Sequence, residues 1–107
     1  MKLLMAVVNK DDAGGVSSAL TRSGFTVTKL STTGGFLTAG NTTFMIGTED
    51  DKVDEAISII SVHSKKRTQL AYTNDMYPAE TYDASPTEIT VGGATVFVLG
   101  VERFEKV

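Results

Sequence analysis

Two apolar runs, at residues 3–8 and 94–99, show little alternation between apolar and polar side chains. A strand with this pattern is covered on both faces. The two short amphipathic helices that the rest of the chain predicts can cover only one face of a sheet, and a large exposed apolar patch is rare on a monomer. The pattern therefore predicts a sheet whose second face meets another subunit, and hence a homo-oligomer.

Two segments have the spacing of amphipathic helices. The apolar stripe of the first consists of Ala13, Val16 and Leu20. The stripe of the second consists of Val53, Ala56, Ile57 and Ile60. Asp11 or Asp12 is the predicted N-cap of the first helix and Gly24 ends it. The second helix ends near residues 63–67.

Further strands are predicted at residues 25–30, 43–48, 67–72, 88–91 and 94–101, with a long loop at 73–86. Gly92 and Gly93 suit a tight hairpin or a bulge between the last two strands. The order is β-α-β-β-α-β with an additional C-terminal hairpin. This order predicts an α+β, ferredoxin-like fold, with an antiparallel sheet and two helices on one face. A chain of 107 residues fits one domain, 1–107.

The charge balance restricts the possible partners. The formal net charge is −3, which argues against binding long DNA or RNA because that requires a basic face. The chain has no cysteine, so a disulfide framework and a catalytic thiol are excluded. The N-terminal apolar run is too short for a signal peptide or a membrane span. We therefore expect a cytoplasmic protein without membrane insertion.

Residues capable of catalysis are scarce. His63 is the only histidine, and its predicted place at a helix C-terminus suits interaction with the helix dipole. Without a second histidine or a cysteine, a zinc site is not expected. No nucleophile, base and oxyanion hole can be assembled from the sequence. We expect neither an enzyme nor a metal or other cofactor.

The stretch "LSTTGGFLTAGNTTFMIG", residues 30–47, carries the strongest functional signal. Successive amides around Gly34 and Gly35 could bind an anion. Phe36 could stack on a base, and Asn41 could both donate to and accept from its polar edge. The alternative is a hairpin loop whose Phe36 and Leu37 pack on the protein. The stretch is not a Walker loop, since no lysine follows the glycines at the required spacing.

The sequences "VTKLSTTGGFLTAGNTTFMIG", "EDDKVDEAISII" and "VGGATVFVLG" closely resemble the PII-like cyclic di-AMP receptor proteins of Gram-positive bacteria. The resemblance covers residues 1–67 and 88–104. It implies a ferredoxin-like homotrimer that is not an enzyme and that binds cyclic di-AMP in clefts between subunits. A signal-transduction role, relayed through loops to an unidentified protein partner, follows from the same resemblance.

The resemblance also implies a set of ligand contacts. Matching positions lie on the second and third strands, in the intervening loop and on the last strand: Thr28, Gly35, Phe36, Leu37, Asn41, Gly47 and Phe97. In this interpretation Phe36 and Leu37 form an apolar wall for an adenine. Asn41 and Thr28 hydrogen-bond the base or the phosphate–ribose ring.

One position and one segment depart from the family pattern. An arginine is common in the family where this chain has Thr26, and losing a charged donor would weaken binding by about 1.5–3 kcal/mol. The segment "AYTNDMYPAETYDAS" replaces a proline-, methionine- and glycine-rich loop. Two other functions are therefore compatible with the sequence: a PII-type regulator that binds ATP or ADP, and a ligand-free trimeric protein-interaction module. The loop after the second strand is too short for the PII-type regulator that binds ATP or ADP.

Overall fold

The computed structural model describes residues 1–30, 40–71 and 87–107, and only the backbone of residues 69–71 and 87–89. The predicted residues Gly35, Phe36 and Leu37 lie outside the described residues. The described strands are β1 (Lys2–Asn9), β2 (Val27–Leu30), β3 (Asn41–Thr48), β4 (Arg67–Ala71), β5 (Thr87–Val91) and β6 (Ala94–Gly100). The helices are α1 (Lys10–Arg22) and α2 (Val53–His63), with a short 3₁₀ turn at Asp50–Lys52 before α2.

Four strands form one antiparallel sheet in the order β2-β3-β1-β6. The strands β4 and β5 form a separate antiparallel hairpin, which we call the arm. The order β-α-β-β-α-β, with this arm inserted before the last strand, confirms the predicted α+β, ferredoxin-like class. The sequence predicts the additional C-terminal hairpin from residues 88–91 and 94–101, whereas in the structure the second hairpin is formed by β4 and β5.

The core lies between the sheet and the two helices. Leu4, Ala6 and Val8 alternate along β1 with partly exposed residues, as expected for a strand with one fully covered face. They pack with Phe44 and Ile46 of β3. The helices contribute Val16, Leu20, Ala56 and Ile60 to the same cluster. Both helices therefore cover one face, as predicted.

The second sheet face is apolar, which confirms that part of the sequence prediction. We call it the open face. Its apolar residues are Leu3, Met5, Val7, Met45, Phe97 and Leu99. None of them is buried in the single chain, and Phe97 is 49% exposed. Exposed apolar faces of this kind mark interaction surfaces.

Two local predictions are wrong. The cap of α1 is Asn9, whose Oδ1 accepts a hydrogen bond of 2.8 Å from the Asp11 amide; neither Asp11 nor Asp12 caps the helix. Gly92 and Gly93 do not form a tight hairpin turn between β5 and β6. Each has positive φ, and together they carry the chain from the arm, where β5 pairs with β4, to the main sheet, where β6 pairs with β1.

Candidate functional site

The register of the sheet places the predicted site residues of β2, β3 and β6 on the open face. Thr28 pairs with Met45, Met45 with Met5, and Met5 with Phe97, which forms one row across all four strands. Residues two or four positions from Met45 on β3 share its face. The described site residues on this face are Thr28, Asn41, Gly47 and Phe97.

A groove of about 530 Å³ lies beside β2, and we call it the β2–β3 groove. One wall is lined by Thr26, which directly precedes β2, and by Thr28 of β2, and the floor is formed by Leu3, Met45 and Gly47. A Cβ at position 47 would lie 3.3 Å from the terminal methyl of Met1, so glycine keeps this part of the groove open. An apolar floor with a few hydroxyls at its side suits a flat aromatic ring with a polar edge.

The C-terminal segment after β6 supplies the remaining wall of this groove. The amide of Val101 donates a hydrogen bond of 3.2 Å to the carbonyl of Met1, which holds the start of the segment beside β1. Phe104, which is 64% exposed, and Lys106 then line the groove. Neither residue is predicted from the sequence, because nothing in the local pattern shows that the tail returns to the sheet. The one available signal was an aromatic residue in a charged tail.

The groove carries a positive charge from Lys106, the only lysine or arginine side chain among the described residues that line it. The Met1 ammonium group also lies at the groove, but its nitrogen is 2.8 Å from Oδ1 of Asp50. The hydrogen bond from this ammonium group lowers the pKa of the Asp50 carboxyl. Lys106 is therefore the side chain available to bind an anionic group here.

A second groove, of about 380 Å³, contains Asn41 at the other end of β3, and we call it the Asn41 groove. It is largely polar, with Asn9 and Lys66 among its lining residues and the Gly92–Gly93 turn as one wall. Asn41 and Gly47 are six residues apart on one strand, which corresponds to roughly 20 Å. Within one chain, Asn41 therefore lies in a different groove from Thr28 and Gly47.

Thr43 lies between these two grooves on the open face. It is buried, and its hydroxyl oxygen has no hydrogen-bond partner in the described part of the chain. Buried hydroxyls are normally paired with protein, ligand or water. The sequence pattern predicts only a strand at Thr43.

Phe97 lies on β6, at the edge of the sheet opposite β2. Three strand spacings separate it from Thr28 in their shared row, which is about 14 Å. Accordingly, Phe97 is not among the residues that line the β2–β3 groove. One chain brings Thr28 and Gly47 together and leaves Phe97 and Asn41 apart from them.

His63 is the last residue of α2, as the sequence predicts. Within the described residues, no group of three or more histidine, aspartate or glutamate side chains could hold a metal ion. In the same residues, neither helix is both long and apolar enough to cross a membrane.

Comparison with known proteins supports the assignment of the fold and identifies the family. A crystal structure described as that of a functionally unknown protein from Pediococcus pentosaceus ATCC 25745 shares 42% sequence identity with this chain. The match covers 99% of this chain and 96% of the other, with a TM-score of 0.74. The model of the cyclic-di-AMP receptor family matches residues 1–107. The chain thus belongs to the cyclic-di-AMP receptor family, a PII-like family of binding proteins.

Proposed function

We propose that this protein is a cytoplasmic signalling receptor that binds cyclic di-AMP at the subunit interfaces of a homotrimer. The observation that carries the proposal is the β2–β3 groove, which combines an apolar floor, two threonine hydroxyls and one lysine. It lies in a chain of the cyclic-di-AMP receptor family. The ligand occupies the groove and extends beyond it toward a neighbouring subunit.

The chemistry of the ligand matches these groups. Cyclic di-AMP has two adenines, which are flat and apolar with polar edges, and two phosphodiesters, which are anionic. Leu3 and Met45 provide an apolar surface for a base, and the hydroxyls of Thr26 and Thr28 can donate to phosphate or base atoms. Lys106 offsets part of the negative charge.

The remaining contacts follow the family resemblance. Phe36 stacks on an adenine, with Leu37 beside it and Gly35 allowing close approach of the backbone. Gly47 leaves room at the groove floor, and Asn41, which lies in a different groove of the same chain, reaches the polar edge of a base from a neighbouring subunit. Phe97 contacts the ligand from the other side of the interface. The proposed binding residues are thus Thr28, Gly35, Phe36, Leu37, Asn41, Gly47 and Phe97.

The trimer explains how Phe97 and Thr28 serve one site. In the described sheet, β2 and β6 are the two edges, and the open face between them is apolar. In a closed ring with heterologous interfaces, one edge of each subunit contacts the opposite edge of the next subunit. Such a ring places the β6 edge of one subunit beside the β2–β3 groove of its neighbour. Ligand binding is then relayed through the loops to a protein partner.

Mixed trimers test this shared site. Thr28→Ala and Phe97→Ala each weaken every site in a trimer made of one variant. Co-refolding the two variants produces trimers in which one interface has an intact β2 edge facing an intact β6 edge. In this mixture we expect fewer than one site per subunit to bind cyclic di-AMP, and those sites should have the wild-type affinity. Mixing Thr28→Ala with Gly47→Leu is the control, because both changes are on the same edge.

Two results would contradict the proposal. If the Thr28→Ala and Phe97→Ala mixture binds no better than the control mixture, the site is not shared between these edges. If the wild-type protein binds ATP or ADP but not cyclic di-AMP, it is a PII-type adenine-nucleotide regulator. If it binds none of them, the ligand-free interaction module is the better description.

A further inference from the structure

The root of the arm is attached to the first turn of α1 by an ion pair. Nη1 of Arg67, the first residue of β4, lies 3.1 Å from Oδ1 and 3.2 Å from Oδ2 of Asp12. The same nitrogen donates a hydrogen bond of 3.2 Å to the carbonyl of Lys65. The Asp12 side chain is only 12% exposed, so water competes weakly for this pair.

The other strand of the arm is fixed at the same place. The Gly93 amide donates a hydrogen bond to the carbonyl of Ser64, and the buried Ser64 hydroxyl donates to the carbonyl of Ile60. A Cβ at Gly92 would lie 2.5 Å from the Lys65 carbonyl oxygen and 2.7 Å from Nη1 of Arg67. The Gly92–Gly93 turn is therefore packed directly against Arg67.

The first turn of α1 also holds the chain that enters β3. The Lys10 amide donates a hydrogen bond of 2.8 Å to the carbonyl of Gly40, the residue before Asn41. Asn9, which caps the helix, lines the Asn41 groove, and so does the Gly92–Gly93 turn. One turn of helix thus contacts both the Asn41 side and the arm side of the same groove.

We infer that Arg67 is a positioning residue, which through Asp12 fixes the arm and the Gly92–Gly93 turn as one wall of the Asn41 groove. The arm and the groove then move as one unit, because both are tied to the first turn of α1. Any ligand group bound at Asn41 is coupled to the position of the arm. This coupling to a ligand rests on the proposed function, whereas the positioning of the arm by the Arg67–Asp12 ion pair does not.

Asp12→Asn tests the Arg67–Asp12 ion pair in the absence of ligand, because it removes the charge of the Asp12 side chain with little change in its shape. We expect amide hydrogen exchange, resolved by nuclear magnetic resonance, to become roughly twofold to thirtyfold faster at Gly93 and in β4 and β5. Asp11→Asn is the matched control, since it removes the same charge from the same helical turn. Asp12→Glu, which keeps a carboxylate, should restore most of the protection.

The second part of the test measures the binding of cyclic di-AMP. Asp12→Asn and Arg67→Lys should weaken binding roughly twofold to thirtyfold, while Asp11→Asn binds like the wild type. Equal exchange rates and equal affinities in Asp12→Asn and Asp11→Asn would overturn the inference. If the wild-type protein does not bind the ligand, the proposed function fails and the exchange measurement still decides whether Arg67 fixes the arm. If Asp12→Asn does not fold, Arg67→Lys tests the same role of Arg67 in its place.

Discussion

Thr28 and Phe97 lie in the same row of the open face but at its two opposite edges, on β2 and β6. Met45 and Met5 separate them, and the distance across these strands is about 14 Å. A ligand in the β2–β3 groove of one chain is therefore remote from Phe97 of the same chain. In the proposed trimer, Phe97 therefore comes to this groove from a neighbouring subunit.

The first prediction concerns assembly. The wild-type protein should scatter light as a trimer at micromolar concentration, because the open face is apolar. Phe97→Glu should shift the protein toward monomer, since a carboxylate in an apolar interface loses its hydration. Val62→Glu is the control: Val62 is also exposed, at 57%, but lies on α2. A wild-type monomer, or an unchanged trimer for Phe97→Glu, would mean that this face does not form the interface.

The second prediction concerns the loop between β2 and β3. Phe36→Ala should weaken cyclic di-AMP binding by roughly fivefold to a hundredfold, because stacking on one base contributes about 1–3 kcal/mol. The trimer should persist in light scattering. Calorimetric titration measures the affinity, and Val62→Ala serves as the control. An affinity equal to that of the wild type would remove Phe36 from the site.

The third prediction concerns the charge at the β2–β3 groove. Lys106→Ala should weaken cyclic di-AMP binding by about twofold to fivefold, since the lysine is in the exposed tail. The loss should shrink as salt is raised from 50 to about 500 mM, because salt screens exposed charges. Lys10→Ala, a change of equal charge at the start of α1, is the control. Equal effects of both changes would mean that only net charge matters.

Thr26→Arg extends this test. It places a cation on the opposite wall of the same groove, so it should tighten cyclic di-AMP binding and compensate for the loss in Lys106→Ala. The double variant Thr26→Arg, Lys106→Ala should then bind at least as well as the wild type. If arginine at position 26 changes the affinity of neither background, that wall does not approach the phosphodiesters.

The fourth prediction concerns the core on the helix side. Leu20 is fully buried between α1 and the sheet, so Leu20→Ala should lower the free energy of unfolding by about 2–5 kcal/mol. Asn9→Ala should cost about 0.5–2 kcal/mol through loss of the α1 cap. Denaturant unfolding at one fixed protein concentration measures both, because subunit association also contributes to stability. A loss below about 0.5 kcal/mol for Leu20→Ala, as expected for a surface position, would contradict the described packing.

The fold was predictable because hydrophobic periodicity determines which residues share a face. Leu4, Ala6 and Val8 are buried under the helices, while Leu3 and Met5 form the opposite apolar face. Local capping was less predictable, since Asn9, Asp11 and Asp12 are all good N-caps by type. Asp12 instead forms an ion pair with Arg67, which is 55 positions away in the sequence, and no local pattern reveals this contact.

The site was predictable only where the family resemblance supplied residues. Thr28 and Gly47 do share a groove, but their separation from Asn41 and Phe97 depends on strand order and register. Phe104 and Lys106 were not predicted, because the hydrogen bond that holds the tail joins Val101 to Met1 at the other end of the chain, which no local pattern reveals. Similarly, Gly92 and Gly93 were predicted as a hairpin turn or a bulge, because paired glycines are common in both. In the structure they connect two sheets.

Calorimetric titration of the purified protein with cyclic di-AMP, with ATP as the competing ligand, tests the central claim most directly. We predict saturable heat with cyclic di-AMP, one molecule bound per subunit of a trimer, and little or no heat with ATP. Trimer mass should be verified by light scattering on the same sample. A trimer that gives no heat with cyclic di-AMP, or that binds only ATP, would contradict the assignment of this groove as a cyclic di-AMP site.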